Sequence, residues 1–485
     1  MILAIDQGTT GSTCLVFDGD GRIAGRSYSE FRQHFPRPGW VEHDAAEIWS
    51  VTRRVAVEAI VDAGIQGAEL DAIGITNQRE TVVAWDPSTG EPLHNALVWQ
   101  DRRTAARCDE LRSAGHEGLI RVRTGLVLDP YFSGTKIEWL LRNSDAVRDR
   151  AVFGTIDSWL VFKLTGRHAT DFSNASRTLL FDIRERRWDE ELCGLLGVEA
   201  ERLPEALPSA HVFGTTTEFG GEVPVAGIAG DQQAALFGQA CHAAGQGKNT
   251  YGTGSFVLLN AGRSAPAAKK GLLTTIAWGI EDEVDYALEA SIFVTGAAVQ
   301  WLRDGLGVIG DAAETEQLAS SLETNEGVYF VPALTGLGSP YWDPYARGTI
   351  VGLTRGTTPA HLARAALEAI AYQTVDAVRA QEEAAGERLS ELKADGGAVA
   401  NAWLMQFQAD VLGVPVSVPE ISETTGLGAA YLAGIAAGIW DRDEVARRWR
   451  EAARYEPGID ADQRESLLAD WARAVERSRA WVRPE

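Results

Sequence analysis

Cysteine is scarce in this chain, and its spacing points to no chemistry. The four residues, Cys14, Cys108, Cys193 and Cys241, lie far apart with no CxxC pair, which argues against a disulfide framework or a zinc ribbon and fits a reducing cytoplasm. The eight histidines, from His34 to His361, show no ligand spacing, and no Ser or Cys stands in a nucleophile elbow, so tight metal sites and hydrolase chemistry have little support. Long apolar runs are missing too. The N-terminal run in MILAIDQGTT breaks at Asp6 after the four residues ILAI and follows no basic leader, so neither a secretory signal nor an anchor is expected. Nothing later nears the roughly 18 uninterrupted apolar residues of a spanning helix.

Positive charge is also short. With 68 Asp plus Glu against 45 Lys plus Arg, the net charge is −23, which argues against general affinity for nucleic acid or anionic membrane. The basic residues are nearly all Arg. What the chain does have is length and apolar content: 485 residues, 45% hydrophobic and 23% charged, enough for two large domains with sizeable cores.

The first 30 residues read as an antiparallel meander, with strands ILAID, TCLVFD and IAGRSYSE joined by the turns QGTTGS and GDGR. A helix is expected over Ala45 to Asp62, then a strand AIGITN, and the alternation of helix and strand continues as an α/β pattern with a mixed sheet. Near residue 250 the opening theme returns in GKNTYGTGSFVLLN, with GLLTTIAWGI and VDYALEAS as the next two strands. Two such meanders imply a chain of two related halves, 1–240 and 241–485, meeting near Gln239 to Gly245. In the second half, Thr358 and Pro359 start a long helix that stops at Gly386, and AVANAWLMQFQADVLG reads as another.

Several motifs carry a chemical reading beside a plainer one. The turn DQGTTGS, Asp6 to Ser12, offers backbone amides and hydroxyls to a phosphate, with Asp6 able to hold a metal ion through water; alone it is also an ordinary hairpin turn. Its near-match TYGTGS, Tyr251 to Ser255, favours a nucleotide gripped from both sides. GQGKN is no P-loop, since His242 and Asn249 occupy its required positions, and no GxGxxG follows a strand. Arg79 and Glu80 in GITNQRET supply a donor beside an acceptor, which a polyol hydroxyl needs, or else a surface ion pair. Tyr131 and Phe132 in DPYFSGTK wall a pocket or anchor a loop. The glycines of DGGAVAN suit the approach of a flat adenine ring or tight packing. Asp231 in GIAGDQQAALFG is a helix cap in its plain reading, without the Glu or Gln of a capping box at Ala234. In its functional reading Asp231 is a carboxylate held at a strand-to-helix junction, with Gly227 and Gly230 letting the strand end close to a substrate.

In order along the chain, IDQGTTGS, GITNQRET, VWQDRRT, TGLVLDPYFSGTK, GIAGDQQAALFGQ, NTYGTGSF, GAAVQWLRD, PYWDPYARG and DGGAVANAWLMQFQADVL resemble the FGGY carbohydrate kinases of the actin-like ATPase superfamily, and among them those that phosphorylate glycerol. The resemblance runs from residue 2 to beyond 430. It implies two ribonuclease-H-like domains with ATP in the cleft between them, and transfer of the γ-phosphoryl group to glycerol to give sn-glycerol 3-phosphate. By matching motifs it implies glycerol contacts from Arg79, Glu80, Trp99, Tyr131, Asp231, Gln232 and Phe256. It likewise implies nucleotide contacts from Thr9, Thr10, Thr253, Gly296, Gln300, Gly397 and Asn401, Mg²⁺ near Asp6, and Asp231 as the base. Cytoplasmic dimers or tetramers are usual in the family. Two departures stand out. Thr13 replaces an Arg that reaches the phosphates in many members. The segment HVFGTTTEFGGEVPVAG, with Glu222, lacks the Gly-Thr-Arg run and the regulatory His, so neither fructose 1,6-bisphosphate inhibition nor histidine phosphorylation is expected. The alternatives are another FGGY kinase acting on a larger polyol or ketose, and a non-catalytic actin-like ATP-binding protein.

Overall fold

The computed structural model describes every residue except 268, 270, 484 and 485. The opening meander forms β1 (Ile2–Gln7), β2 (Gly11–Phe17) and β3 (Ile23–Glu30), all antiparallel. The first turn is closed by the Gly8 amide donating to the Gly11 carbonyl at 2.9 Å. β4 (Ala72–Asn77) lies parallel to β1, with Thr76 opposite Asp6. β5 (Ala210–Thr216) turns back into β6 (Val223–Gly230), which runs parallel to β4. The first half therefore has the strand order β3-β2-β1-β4-β6, with β5 outside it.

The second half repeats that order. β7 (Gln246–Tyr251), β8 (Ser255–Gly262) and β10 (Glu283–Ile292) form the antiparallel part, with β9 (Leu273–Ile280) on the outer side of β10. β11 (Glu391–Gly396) is parallel to β7 and β12 (Val416–Pro419) parallel to β11, with β13 (Glu451–Tyr455) at the edge. The order β10-β8-β7-β11-β12 matches the first half strand for strand. The halves join where β5 meets β9 at one parallel pair, Ala210 opposite Ile280, so thirteen described strands form one sheet. The two-domain α/β expectation with a mixed sheet therefore holds.

The helices follow their sequence signals closely. α1 (Ala45–Asp62) starts where the Asp44 carboxylate accepts from the Ala46 and Glu47 amides, and it buries Ile48, Val55 and Ala59 against the first half of the sheet. α2 (Ser133–Asn143) and α3 (Asp231–Gly238) belong to the first half, and α4 (Gly296–Gln300) and α5 (Pro359–Ala385) to the second. α5 ends at Gly386, whose φ of 73° is the left-handed conformation that glycine adopts freely. α6 (Ala402–Leu412) begins four residues later than its apolar pattern suggests. Asn401 is extended and its side chain accepts from the Leu404 amide at 2.9 Å, so the preceding 397–400 segment is a single 3₁₀ turn.

α7 (Thr424–Ala436) crosses the expected division of the chain, because it packs on the first half of the sheet beside α3. Small residues make that contact close. A Cβ on Gly74 of β4 would lie 2.2 Å from the Ala429 carbonyl oxygen, and one on Gly227 of β6 would lie 2.3 Å from the Ala433 nitrogen. Gly227 thus serves the helix behind the sheet, not a substrate in front of it. The cluster formed here joins Ile2, Leu15 and Phe17 to Leu258 and Ala287 through Leu427 and Tyr431. No helix among the described residues is long and apolar enough to cross a membrane.

A methyl group at position 227 has only helix backbone to displace, so Gly227→Ala should cost about 1–3 kcal/mol by overpacking. Thermal unfolding should show a lowered midpoint for Gly227→Ala and none for Gly19→Ala, where a Cβ meets nothing within 4 Å. Equal midpoints for the two variants would contradict the close-packing account.

Candidate active site

The carboxyl-terminal ends of the parallel strands β1, β4 and β6 share one edge, and the side chains singled out from sequence gather there, as ligands do in open α/β sheets. Asp6 is near the end of β1, Arg79 and Glu80 follow β4, and Asp231 follows β6. The two Gly/Thr turns, 8–11 and 252–254, cap β1 and β7.

Each turn is braced from below. The Thr9 hydroxyl accepts from the Trp99 indole at 2.9 Å and the Thr9 carbonyl accepts from the Gln33 side chain at 3.0 Å, while the Gln78 side chain donates from Nε2 to the Gly8 carbonyl at 3.1 Å. Thr10 stays exposed. In the second turn the Gly252 amide donates to the Gly254 carbonyl at 2.8 Å, and the Thr253 carbonyl accepts from the Thr295 and Ala297 amides at 3.0 and 3.1 Å. This seats Thr253 on the start of α4, where a Cβ on Gly296 would lie 2.6 Å from the Gly252 oxygen. Gln300 is exposed at the far end of α4, which passes into one π-helical turn, Trp301–Gly305. The two glycines of DGGAVAN divide their roles. A Cβ on Gly396 would lie 2.2 Å from the Tyr251 oxygen, which is tight packing, whereas Gly397 faces open space. Asn401 spends its oxygen on the α6 cap and its NH₂ on the Thr315 hydroxyl at 3.2 Å.

Arg79 and Glu80 are no surface pair. They sit in a buried lattice completed by two residues that the sequence reading did not single out, Arg177 and Glu289. Arg79 Nη1 donates to Glu289 at 2.5 Å and to Gln233 at 3.2 Å, Nη2 donates to Glu289 at 3.3 Å, and Nε lies 3.0 Å from Asp231 Oδ1. Three of the five guanidinium N–H groups are hydrogen-bonded and Nε faces Asp231 in an ion pair, which leaves the second N–H of Nη2. Arg177 donates to Glu80 at 2.6 Å and to Glu289 Oε1, the oxygen that also accepts from Arg79 Nη2, at 3.0 Å. Glu80 is a non-glycine residue at φ 63°, a strained backbone held by the Ser133 hydroxyl, which donates to its carbonyl at 2.9 Å. A Cβ on Gly230 would lie 2.6 Å from Arg79 Cδ, so this glycine makes room for the arginine.

Electrostatics divides the carboxylates. Burial acts to raise the Glu289 carboxyl, but Arg177 and Arg79 outweigh it and hold it down to about 2. Glu80 is raised, because burial prevails over the same two arginines. Asp231 differs from both in facing solvent, with a third of its side chain exposed against 2% for Arg79. The capping expectation for Asp231 is corrected: Gly230 precedes the helix as its cap, Asp231 is the first residue of α3, and its Oδ1 accepts only from the adjacent Gln232 amide at 2.7 Å. Gln232 is held by Lys248, a buried strand residue whose ammonium donates to Gln232 Oε1 at 2.5 Å and to the Thr250 hydroxyl at 2.6 Å.

Aromatic residues close the site. Trp99 and Tyr131 meet edge to face with centroids 5.5 Å apart, and Arg177 lies 5.8 Å from the Tyr131 ring. Phe256 lies beside the Arg79 guanidinium at 6.0 Å. Phe132 takes the plainer of its two readings and is buried in the core. The residues expected to bind glycerol therefore form one contiguous group, and the other set lies along the two turns, α4 and the start of α6. Of the residues missed, only Glu289 left a trace in the sequence, as an acid inside the apolar strand VDYALEAS.

Comparison with known proteins identifies the family. Residues 1–238 match the FGGY family of carbohydrate kinases, N-terminal domain, and residues 247–437 match the C-terminal domain of that family. A glycerol kinase of Thermotoga maritima is 56% identical over 490 residues, 99% of each chain, and one of Trichlorobacter lovleyi is 57% identical over 493 residues, 100% of this chain and 99% of that one. A crystal structure of Plasmodium falciparum glycerol kinase with ADP superposes with a TM-score of 0.94 at 37% identity, covering 98% of both chains. With both domain types in order and relatives more than half identical over the whole length, the chain belongs to the FGGY family of carbohydrate kinases.

Proposed function

We propose that the chain transfers the γ-phosphoryl group of ATP to glycerol, giving sn-glycerol 3-phosphate, with Asp231 as the base. The observation that carries this reading is a solvent-facing carboxylate fixed at 3.0 Å by an arginine that is itself locked in a buried ion lattice. Phosphoryl transfer needs in-line positioning and charge neutralisation, and a carboxylate that orients the hydroxyl and accepts its proton as the O–P bond forms. On this reading Arg79 offers its remaining N–H and Glu80 its carboxylate to the glycerol hydroxyls. Gln232 donates from its NH₂, since Lys248 occupies its oxygen. Trp99, Tyr131 and Phe256 wall the carbon chain.

The nucleotide lies across the two turns. Thr9, Thr10 and Thr253 serve the phosphates, and Gly296, Gln300, Gly397 and Asn401 the adenosine. Residues 1–240 then carry the glycerol site and the first phosphate turn, and 241–485 the second turn and the adenosine site. Thr13, opposite Asp6 on β2, leaves one phosphate contact fewer than in members with Arg there. The four free, buried cysteines accord with a cytoplasmic setting.

Mg²⁺ fits the donor set. Burial and the neighbouring charges of Asp231 and Glu423 push the Asp6 carboxyl up to about 7, a repulsion that a divalent cation relieves. No preassembled group of three or more ligating side chains exists among the described residues, which suits an ion that keeps its waters and binds mainly phosphate oxygens. Asp6 would hold it through water, and the ion would neutralise charge on the transferring group.

Two outcomes follow. Asp231→Asn should lower kcat by about 10²–10⁴-fold while glycerol still binds, measured by coupled ADP release and by calorimetry; near-normal kcat would refute the role of Asp231 as base. Asp6 is protonated in the folded chain at pH values where it ionises in the unfolded one, so its contribution to stability is full below about 4 and is lost as pH rises through about 7. The unfolding midpoint of Asp6→Asn relative to the parent should therefore climb between pH 5 and pH 8. A difference independent of pH would contradict the raised pKa.

A further inference from the structure

Only six lysines occur in the chain, at 136, 163, 248, 269, 270 and 393, and three of them, Lys136, Lys248 and Lys393, are buried. Arginine serves nearly everywhere else, in the buried ion lattice as well as at the surface, so a buried lysine marks a place where a compact ammonium is needed and a planar guanidinium does not fit. None of these three makes an ion pair among the described residues. Lys136 is fully buried in the first turn of α2. A cation near a helix N-terminus opposes the helix dipole, so something must offset that cost.

Three successive main-chain carbonyls do so. The Lys136 ammonium donates to Pro130 at 2.5 Å, to Tyr131 at 2.8 Å and to Phe132 at 3.3 Å, which uses all three of its N–H groups. The same loop is tied on its other side by Asp129, which accepts from the Tyr131 amide at 2.8 Å and from Arg102 at 2.6 Å. Three residues before Lys136 on the same helix, Ser133 holds the strained Glu80. The start of α2 therefore braces two of the proposed glycerol contacts, Glu80 through Ser133 and Tyr131 through Lys136.

We propose that Lys136 is a positioning residue for the acceptor substrate: its ammonium folds the 130–132 loop so that Tyr131 stands edge-on to Trp99, and polyol affinity depends on that ammonium. The proposal rests on the reading of Tyr131 as a wall of the glycerol site. Its consequence is a pH dependence of substrate affinity that comes from a group out of contact with substrate. Burial lowers the Lys136 pKa to about 8, against the opposing charges of Glu80, Asp101 and Asp129 and of the Cys108 thiol, which face it from the turn after β4, the turn before the 105–113 helix, the loop itself and that helix. Cys108 is raised to about 11 and Tyr131 well above its ordinary value, so neither titrates in this range. The neutral amine has two N–H groups for three carbonyls, and one loop carbonyl loses its partner.

The test is steady-state kinetics at saturating ATP on the full chain. Lys136→Met should raise KM for glycerol by about tenfold or more while KM for ATP stays within about twofold. In the parent, KM for glycerol should rise from pH 7 to pH 9, and in Lys136→Met that rise should be absent. Lys136→Gln serves if the Met variant does not fold, with the same split expected. Unchanged KM for glycerol in the variant, or a loss shared equally by both substrates, would overturn the proposal. Tyr131→Ala separates it from its premise. If that variant raises KM for glycerol and Lys136→Met does not, the clamp alone fails; if it leaves KM unchanged, Tyr131 does not wall the site and both readings fall.

Discussion

Everything at the cleft hangs on one buried exchange of charge, the guanidinium of Arg79 against the carboxylate of Glu289. Neither group could be buried alone, since an uncompensated charge in the interior costs about 3–5 kcal/mol or more. Arg177 and Glu80 complete the square, and Asp231 and Lys248 extend it, so three cations and three carboxylates stand together. The lattice also ties the two halves of the chain, because Glu289 and Lys248 come from the second half, and Arg79, Glu80, Arg177 and Asp231 from the first. In proteins generally such buried pairs add little stability for their cost. Here what the lattice supplies is placement: Arg79 has no freedom to leave Asp231 while Glu289 grips two of its nitrogens.

This rigidity suits the chemistry. Phosphoryl transfer asks little of covalent catalysis and much of alignment, and the proposed acceptor side of the site stands on strand ends, a helix start and a locked ion lattice. The proposed nucleotide side is built differently, from two short turns in matching positions of two copies of the same strand order. Each turn is braced by groups beneath it and open above.

Much of the fold was legible. The strand and helix patterns of both meanders, the limits of α1, the cap and stop of α5 and the repeat of the Gly/Thr turn all follow from local periodicity and turn chemistry. The packing of α7 across the division was not, because the small residues that admit it, Gly74, Gly227 and Gly428, meet their partners hundreds of residues away. The site was half legible. Motifs brought Asp231, Arg79, Glu80, Trp99 and Tyr131 forward, but Arg177, Glu289 and Lys136 act through distant contacts, and a single charged residue in a strand or helix start carries no signal of its partner. Asp231 illustrates the limit. A capping rule explains an acid before a helix, yet Gly230 is the cap, and the carboxylate is held instead by an arginine some 150 residues earlier in the sequence.

Glycerol-dependent ADP release, measured with glycerol, xylulose, ribulose and glyceraldehyde in competition, tests the account most directly. It predicts turnover of glycerol with sn-glycerol 3-phosphate as the product and the highest kcat/KM of the four. A ketose with the higher kcat/KM, or no acceptor-dependent turnover at all, would contradict it.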